Sequence, residues 1–303
     1  MTPEQARKLA GKCSFTTAQL FGRVGRAALR ALYDTAFSNT SHINTSTHNA
    51  IIALIDILQH CQPRRLSPQP QPAKLTIIYT DAFYRDGDKQ IRCSDLLGDK
   101  DSLTPSPTMT NGWAAVVFHP SSTKPLVFNG TVPPRLLKHF ASNKAFVYFL
   151  EAWAASITPI LVKPSLTSTY IQLCDNDAAT HAIIKGSGSH TPLNNLLGSH
   201  WTWHNRHCLR QILKRVPTHA NIADPFSRGD FSIAHQLQWP ILEPPTTRLL
   251  ETTKKIIGDA KFAHQVGFTQ DPYIQLQQLQ KLALQKLLPS NRHIGTYLLK
   301  SRR

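Results

Sequence analysis

An apolar, β-branched run at residues 77–83, IIYTDAF, predicts a buried strand that carries Asp81. Burying a carboxylate without a partner is costly, and a divalent metal ion is a common compensation. Other acids are scarce in much of the chain that follows. Between residues 102 and 240 there are five carboxylate side chains: Glu151, Asp175, Asp177, Asp224 and Asp230. Because acids are so few in this region, a carboxylate predicted to lie on a buried strand is a candidate metal ligand rather than a general surface charge.

Three of these acids also stand at the edges of predicted elements. Glu151 lies in the helix-like stretch LEAWAA, Asp175 ends the strand-like run in IQLCDND, and Asp224 adjoins a helix start in HANIADPFSR. One Mg²⁺ is satisfied by one or two carboxylates, whereas two ions about 4 Å apart need several that converge. The pattern favours a two-metal phosphodiester hydrolase.

Ordinary structural roles remain open for each acid. Asp81 could end a strand in solvent, and Glu151 could be a charge favoured by the helix dipole. Asp175 could cap the following helix, although Asn176 can do the same. Asp224 followed by proline could be an N-cap and first-turn pair. Asp177, one residue past the Asp175-Asn176 pair, is expected in the first helical turn.

The charge of the chain favours a polyanionic partner. Its net charge is +16 over 303 residues, and residues 1–73, 74–240 and 241–303 carry +5, +5 and +6. An evenly basic body of this kind suits contact along nucleic acid, and the alternative is a generic basic surface.

Cysteine usage and hydropathy suggest an intracellular protein, cytoplasmic or nuclear. The five cysteines are odd in number, have no CxxC spacing and are expected to be reduced. Neither a signal peptide nor an apolar run of 18 residues is visible, so no membrane association is expected.

The chain divides into four predicted segments. They are a helical segment at 1–60, a proline-rich linker at 61–73, the main domain at 74–238 and a basic, partly helical tail at 239–303. Thr2, Pro3 and Gln5 fit a capping box at the first helix, and Ile51, Leu54, Ile55 and Leu58 have amphipathic helical spacing.

Within the main domain the patterns predict strands and helices in the order β-β-β-α-β-α-α-β-α. The strands are expected at 75–79, 113–118, 126–128, 170–174 and 212–216, and the helices at 142–157, 176–185, 193–213 and 221–237. Residues 85–111 are expected to form a long loop. The predicted class is α/β, with a mixed five-stranded sheet flanked by helices.

Element order and acid order resemble the ribonuclease H fold. Three sequence motifs are similar to those in the RNase H domain of reverse transcriptases from long-terminal-repeat and DIRS-type retrotransposons. They are TDA at 80–82, Asp175-Asn176, and VPTHANIADPFSR at 216–228. This resemblance covers about residues 75–232. Residues 9–34 are similar to the segment after the polymerase palm in these enzymes, so residues 1–60 resemble thumb and connection helices. No polymerase YxDD motif is present.

The resemblance implies hydrolysis of the RNA strand of RNA·DNA hybrids. It implies two ions, Mg²⁺ or Mn²⁺, held by Asp81, Glu151, Asp175 and Asp224, with Asp81 bridging. The implied partners are the hybrid and the polymerase portion of a longer reverse transcriptase. Two rivals are a catalytically silent nucleic-acid-binding module and a DNA-acting nuclease or transposase of the same fold.

Seven further residues are expected to contact nucleic acid. They are Asn176, Trp201, His204, Arg206, Arg210, His219 and Arg228. The segment HWTWHNRHCLR at 200–210 also contains His200, His207 and Cys208, which leaves a weaker zinc interpretation. Alternatively, Trp201 and Leu209 of this segment pack in the core.

Overall fold

The computed structural model describes residues 1–38, 43–63, 74–84, 111–133, 136–137, 146–188 and 190–244, together with Leu249 and Thr253. These residues form an α/β fold with a mixed six-stranded sheet flanked by helices. The strands are β1 Thr76–Tyr84, β2 Asn111–Phe118, β3 Leu126–Gly130, β4 Thr169–Cys174, β5 Arg210–Arg215 and β6 Ile241–Leu242. The longer helices are α1 Pro3–Ala18, α2 Arg26–Ala36, α3 Thr45–His60, α4 Phe146–Leu161, α5 Asp177–Lys185 and α6 Thr191–Arg206. Two short helices follow, α7 Asp224–Ser227 and α8 Ser232–Gln236.

The sheet has the strand order β5-β4-β1-β2-β3-β6. The first three strands form an antiparallel meander, and β4 and β5 then add in parallel beside β1. β1 is therefore an interior strand with a partner on each side. Its parallel register with β4 pairs Tyr79 with Leu173. Continuing this register by two residues brings Asp81 level with Asp175.

The two faces of the sheet are covered by different helices. Along β2, Trp113, Ala115 and Val117 belong to the large core on one face, and Ala114 and Val116 belong to a second cluster on the other. This alternation follows from the two-residue period of a strand. Helix α4 packs on the first face against β1, β2 and β4, whereas α7 packs on the second.

Helices α1–α3 share the large core with the sheet. The predicted capping box of α1 is present, since Thr2 caps the helix reciprocally with Gln5, and the four apolar residues that predict α3 are buried. Helix α2 packs on α6. Gly186, the left-handed C-cap of α5, leaves no room for a Cβ, which would lie 2.7 Å from Arg23 Cβ. The helical segment therefore packs closely against α5 and α6, which flank the sheet.

The structure corrects several predicted elements. A sixth strand, β6, pairs in parallel with β3, so the five-stranded prediction is one strand short among the described residues. The helix predicted at 193–213 ends at Arg206, where a turn with Cys208 at φ 52° leads into β5. The helix predicted at 221–237 is instead α7 and α8, because Gly229 adopts φ 82° between them.

Some predictions lie outside the described residues. These are the loop at 85–110, the start of the helix predicted from 142, most of the linker and nearly all of the tail beyond Glu243. In the part of the chain that the structure describes, no helix combines the length and apolarity needed to cross a membrane.

Candidate metal centre

Asp81 lies on β1 and is 3% exposed. Its neighbours Tyr79 and Ile78 contact opposite cores, so the side chain of Asp81 lies on the face covered by α7. There the Ser227 hydroxyl donates a hydrogen bond to Asp81 Oδ2, and Asn221 Nδ2 lies 3.5 Å from Oδ1. Burial raises the pKa of Asp81 to about 6, the Ser227 hydrogen bond opposes this shift, and nearby carboxylates reinforce it.

Glu151 approaches from the opposite face on α4. Both of its flanks are apolar and buried, which draws this helix against the sheet on one side and α5 and α6 on the other. The carboxylate is 4% exposed, accepts the backbone N–H of Ala82 and accepts the Cys174 thiol across 3.6 Å. Burial, followed by the charges of Asp81 and Asp175, raises the pKa of Glu151 well above its ordinary value.

Asp175 follows the last residue of β4 and is partly exposed. It is not the cap of α5, because Asn176 Oδ1 accepts the Ala179 N–H at 3.0 Å. This leaves the Asp175 carboxylate unused by the helix. Asp177 stands in the first turn of α5, as the sequence predicts, and pairs with Arg215 at 2.9 Å.

Asp224 begins α7, and Ala223 occupies the N-cap position without a side-chain cap. Asp224 is therefore not the N-cap of α7, which was the alternative role for it. Asp224 Oδ1 instead accepts two hydrogen bonds from Arg228, at 2.8 Å from Nη2 and 3.1 Å from Nε. The Arg228 guanidinium carbon also lies 5.5 Å from the centroid of the Phe83 ring. Arg228 is thus held at the rim of the acidic group.

The four acids are electrostatically linked although they come from four separate elements. Asp81 is affected by the charges of Asp175 and Asp224, and Glu151 by those of Asp81 and Asp175. Among the described residues, Arg228 is the cation that stands against this group. Burial and mutual repulsion raise the pKa values of Asp81 and Glu151, and a divalent cation bound between the acids would offset both effects. The donor set of carboxylate oxygens fits hard ions such as Mg²⁺ and Mn²⁺.

The prediction that Trp201 and His204 contact nucleic acid is wrong. Trp201 is 8% exposed and donates its indole N–H to Ile183 O at 2.9 Å. His204 has no exposed surface and pairs with the Tyr170 hydroxyl, and its burial lowers its pKa well below the ordinary value. Both side chains belong to the core and do not face a ligand; the alternative interpretation of this segment allows this for Trp201 but did not include His204.

The other predicted contact residues lie at or near the surface. Arg206 is exposed and pairs with Asp56 at 2.8 Å, Arg210 is exposed on the edge strand β5, and His219 is exposed in a turn at Thr218–Ala220. Asn176 is partly exposed but serves α5 as its cap. The zinc interpretation of residues 200–208 gains no support. The metal-compatible group found in the described residues is Glu151, Cys174 and Asp175.

Three residues of the site were not singled out from the sequence. Ser227 and Asn221 both contact Asp81, and their signal was their fixed spacing around Asp224 in NIADPFSR. Cys174 contacts Glu151, and its signal was its place directly before Asp175. Partners of this kind are set by tertiary packing, so sequence spacing alone could nominate them but not assign their contacts.

Comparison with protein-family models, with curated proteins and with solved structures finds no match to this chain.

Proposed function

We propose that this protein is a divalent-metal-dependent nuclease of the ribonuclease H type that hydrolyses the RNA strand of RNA·DNA hybrids as part of a retroelement reverse transcriptase. The observation that supports the proposal is that Asp81 interacts electrostatically with Asp175 and Asp224, and Glu151 with Asp81 and Asp175, while ligand atoms of Glu151 and Asp175 lie within 4.8 Å of each other. An antiparallel meander followed by two parallel strands agrees with the ribonuclease H-like arrangement that the sequence resemblance implies. The net charge of +16 suits a polyanionic substrate.

The four carboxylates would hold two ions, Mg²⁺ or Mn²⁺. When bound, such a pair lowers the pKa of an attacking water and stabilises the leaving 3′-oxygen. The protein groups around the acids orient them. Ser227 and Asn221 hold the two oxygens of Asp81 from one side, and Ala82 N–H holds Glu151 from the other. Preoriented carboxylates lose little freedom when they bind a ligand.

Arg228 has a separate part in the proposal. Its guanidinium is fixed between Asp224 and the Phe83 ring, yet its side chain is 52% exposed. The donors that do not face Asp224 are available to a phosphate of the substrate. Selection of RNA over DNA would come from contacts to the 2′-hydroxyl.

The test is a cleavage assay on the purified chain with an RNA·DNA hybrid, double-stranded RNA and double-stranded DNA, each with and without Mg²⁺. We expect cleavage of the RNA strand of the hybrid when Mg²⁺ is present. Asp175→Asn should abolish cleavage and leave hybrid binding intact. Asp177→Asn is the matched control, because Asp177 is two residues away but exposed and paired with Arg215.

Undiminished Mg²⁺-dependent cleavage by Asp175→Asn would contradict the assignment of the site. Hybrid binding without any cleavage would instead identify a silent binding module, and cleavage of double-stranded DNA alone would identify a DNA nuclease of the same fold.

A further inference from the structure

A thiol stands among the acids of the candidate metal centre. Cys174 is the last residue of β4, has no exposed surface, and precedes Asp175. Its Sγ lies 3.6 Å from Glu151 Oε2. One ligand atom from each of Glu151, Cys174 and Asp175 lies within 4.8 Å of the other two.

The spacing of the sulfur and the oxygen matches a tetrahedral soft-metal site. With a Zn–S bond of about 2.3 Å and a Zn–O bond of about 2.0 Å, tetrahedral angles place sulfur and oxygen roughly 3.5 Å apart. The observed separation of 3.6 Å requires almost no movement. The thiol proton now lies between the two atoms. An entering ion would form the sulfur–metal bond as the S–H bond breaks, and the proton would leave to solvent.

A second feature of this pocket also points to a ligand. Thr180 on α5 is 5% exposed, and the group within reach of its buried hydroxyl is the Cys174 sulfur, a weak hydrogen-bond acceptor, with no nitrogen or oxygen partner among the described residues. Glu151 makes no ion pair within the described residues, and its buried carboxyl contacts the Cys174 thiol and the Ala82 N–H. A buried hydroxyl whose neighbour is a weakly accepting thiol and a buried carboxyl without a cation are unfavourable features that a bound ion would relieve.

We infer that Glu151, Cys174 and Asp175 form a site for one thiophilic divalent ion, such as Zn²⁺ or Cd²⁺. Thiolate ligands favour these ions, whereas Mg²⁺ has little affinity for sulfur. The partly exposed Asp175 provides the route of entry. Because the site shares Glu151 and Asp175 with the proposed hard-ion centre, a thiophilic ion would displace Mg²⁺ and block hydrolysis. The binding of the soft ion stands by itself, and the competition rests on the proposed function.

The experiment is a Cd²⁺ titration of the full chain, metal-free and fully reduced, followed by the ultraviolet charge-transfer band of the Cd²⁺–thiolate bond. The variants are Cys174→Ser, which removes the sulfur, and Glu151→Gln, which keeps every thiol and removes one carboxylate. Cys208→Ser is the matched control, since Cys208 is an exposed cysteine outside the site. Circular dichroism establishes that each variant is folded.

We expect a band in the wild-type protein that persists in Cys208→Ser and disappears in Cys174→Ser. In Glu151→Gln the Cd²⁺ affinity should fall by more than about tenfold, the loss that removing even a supporting partner causes at a metal site. Excess Mg²⁺ should weaken Cd²⁺ binding to the wild-type protein. If Cys174→Ser does not fold, the Glu151→Gln titration decides the question.

A band that is unchanged in Cys174→Ser, or a Cd²⁺ affinity unchanged in Glu151→Gln, overturns the inference. If the nuclease proposal is wrong but this inference is right, the protein cleaves no hybrid in Mg²⁺, while the Cd²⁺ band still depends on Cys174.

Discussion

Ser227, on the short helix α7, donates its hydroxyl to the carboxylate of Asp81 on the interior strand β1, 146 residues away in the chain. The same hydroxyl lies 2.9 Å from Asp224 O within its own helix. One buried side chain therefore ties the position of α7, which carries Asp224, to the orientation of Asp81. Two of the four acids are positioned relative to each other by this residue.

Ser227→Ala should impair the site without removing a carboxylate. The Ser227 hydrogen bond lowers the pKa of Asp81, so its loss should raise that pKa above about 6. Loss of a hydrogen bond to a charged group costs about 1.5–3 kcal/mol, and loss of a partner that orients a metal ligand costs about 10–100-fold in activity. The measurements are a carboxyl NMR titration and the Mg²⁺ dependence of cleavage. Ser232→Ala, an exposed serine on α8, is the control, and equal behaviour of the two variants would contradict the positioning role.

Asp81 should make the metal-free protein less stable as the pH rises. Its pKa is about 6 in the native state and 3.8 ordinarily, so between these values the native protein holds a proton that the unfolded chain has released. The free energy of unfolding therefore falls through this window, by about 3 kcal/mol in all. Asp81→Asn should remove most of this loss and be the more stable protein at neutral pH. With Mg²⁺ present, the wild-type protein should be more stable than Asp81→Asn, because Mg²⁺ binds the Asp81 carboxylate and not the amide that replaces it.

Urea denaturation at a series of pH values, in chelator, measures this effect as the difference between Asp81→Asn and wild type. The wild-type profile alone does not isolate Asp81, because His200 changes the stability in the opposite direction. Burial lowers the pKa of His200 to about 4, so His200 destabilises the protein as the pH falls. Parallel pH profiles for the two proteins would show that Asp81 is not held in a raised-pKa environment.

The sequence predicts the acids better than their surroundings. Asp81 could be located because a β-branched apolar run predicts a strand whatever its partners are. Asp175 and Asn176 are about equally good N-caps, so the sequence leaves the cap open between them, and the structure assigns it to Asn176. The contacts of Ser227 and Cys174 depend on which elements meet across the sheet. The local sequence pattern does not say which elements meet across the sheet, so these two contacts could be identified only from the structure.

The predicted elements fail for equally specific reasons. Residues 221–237 have helical composition, but Gly229 adopts a left-handed conformation and Asp230 N–H returns to Pro225 O, which ends α7 after one turn. Strand β6 has two residues, too few for any periodicity to register. Trp201 and His204 read equally well as core or as surface, since both residue types occupy both environments.

Asn205 should be essential to the attachment of the N-terminal helices. It is fully buried on α6, donates to Phe21 O and Gln62 O at 2.9 Å each, and accepts Gln62 N–H at 2.6 Å. Asn205→Ala leaves three backbone groups without these partners and should cost about 3 kcal/mol or more. The neighbouring Arg206→Ala, which breaks an exposed ion pair with Asp56, should cost less than about 1 kcal/mol. Chemical denaturation measures both, and comparable losses would contradict a central role for Asn205.

Arg228 should contribute one specific phosphate contact. In an Asp175→Asn background, which prevents cleavage, Arg228→Ala should weaken hybrid binding and make the slope of log K against log salt concentration shallower by about one. Arg228→Lys keeps the charge but loses the planar group that pairs with Asp224 and stacks on Phe83, so binding should recover only in part. The control is Arg30→Ala, which makes the same change of net charge at an exposed ion pair with Asp34 on α2. If Arg30→Ala lowers affinity and slope as much as Arg228→Ala, the effect belongs to the basic surface as a whole. A loss confined to Arg228 instead means that the guanidinium beside the acids contacts the substrate.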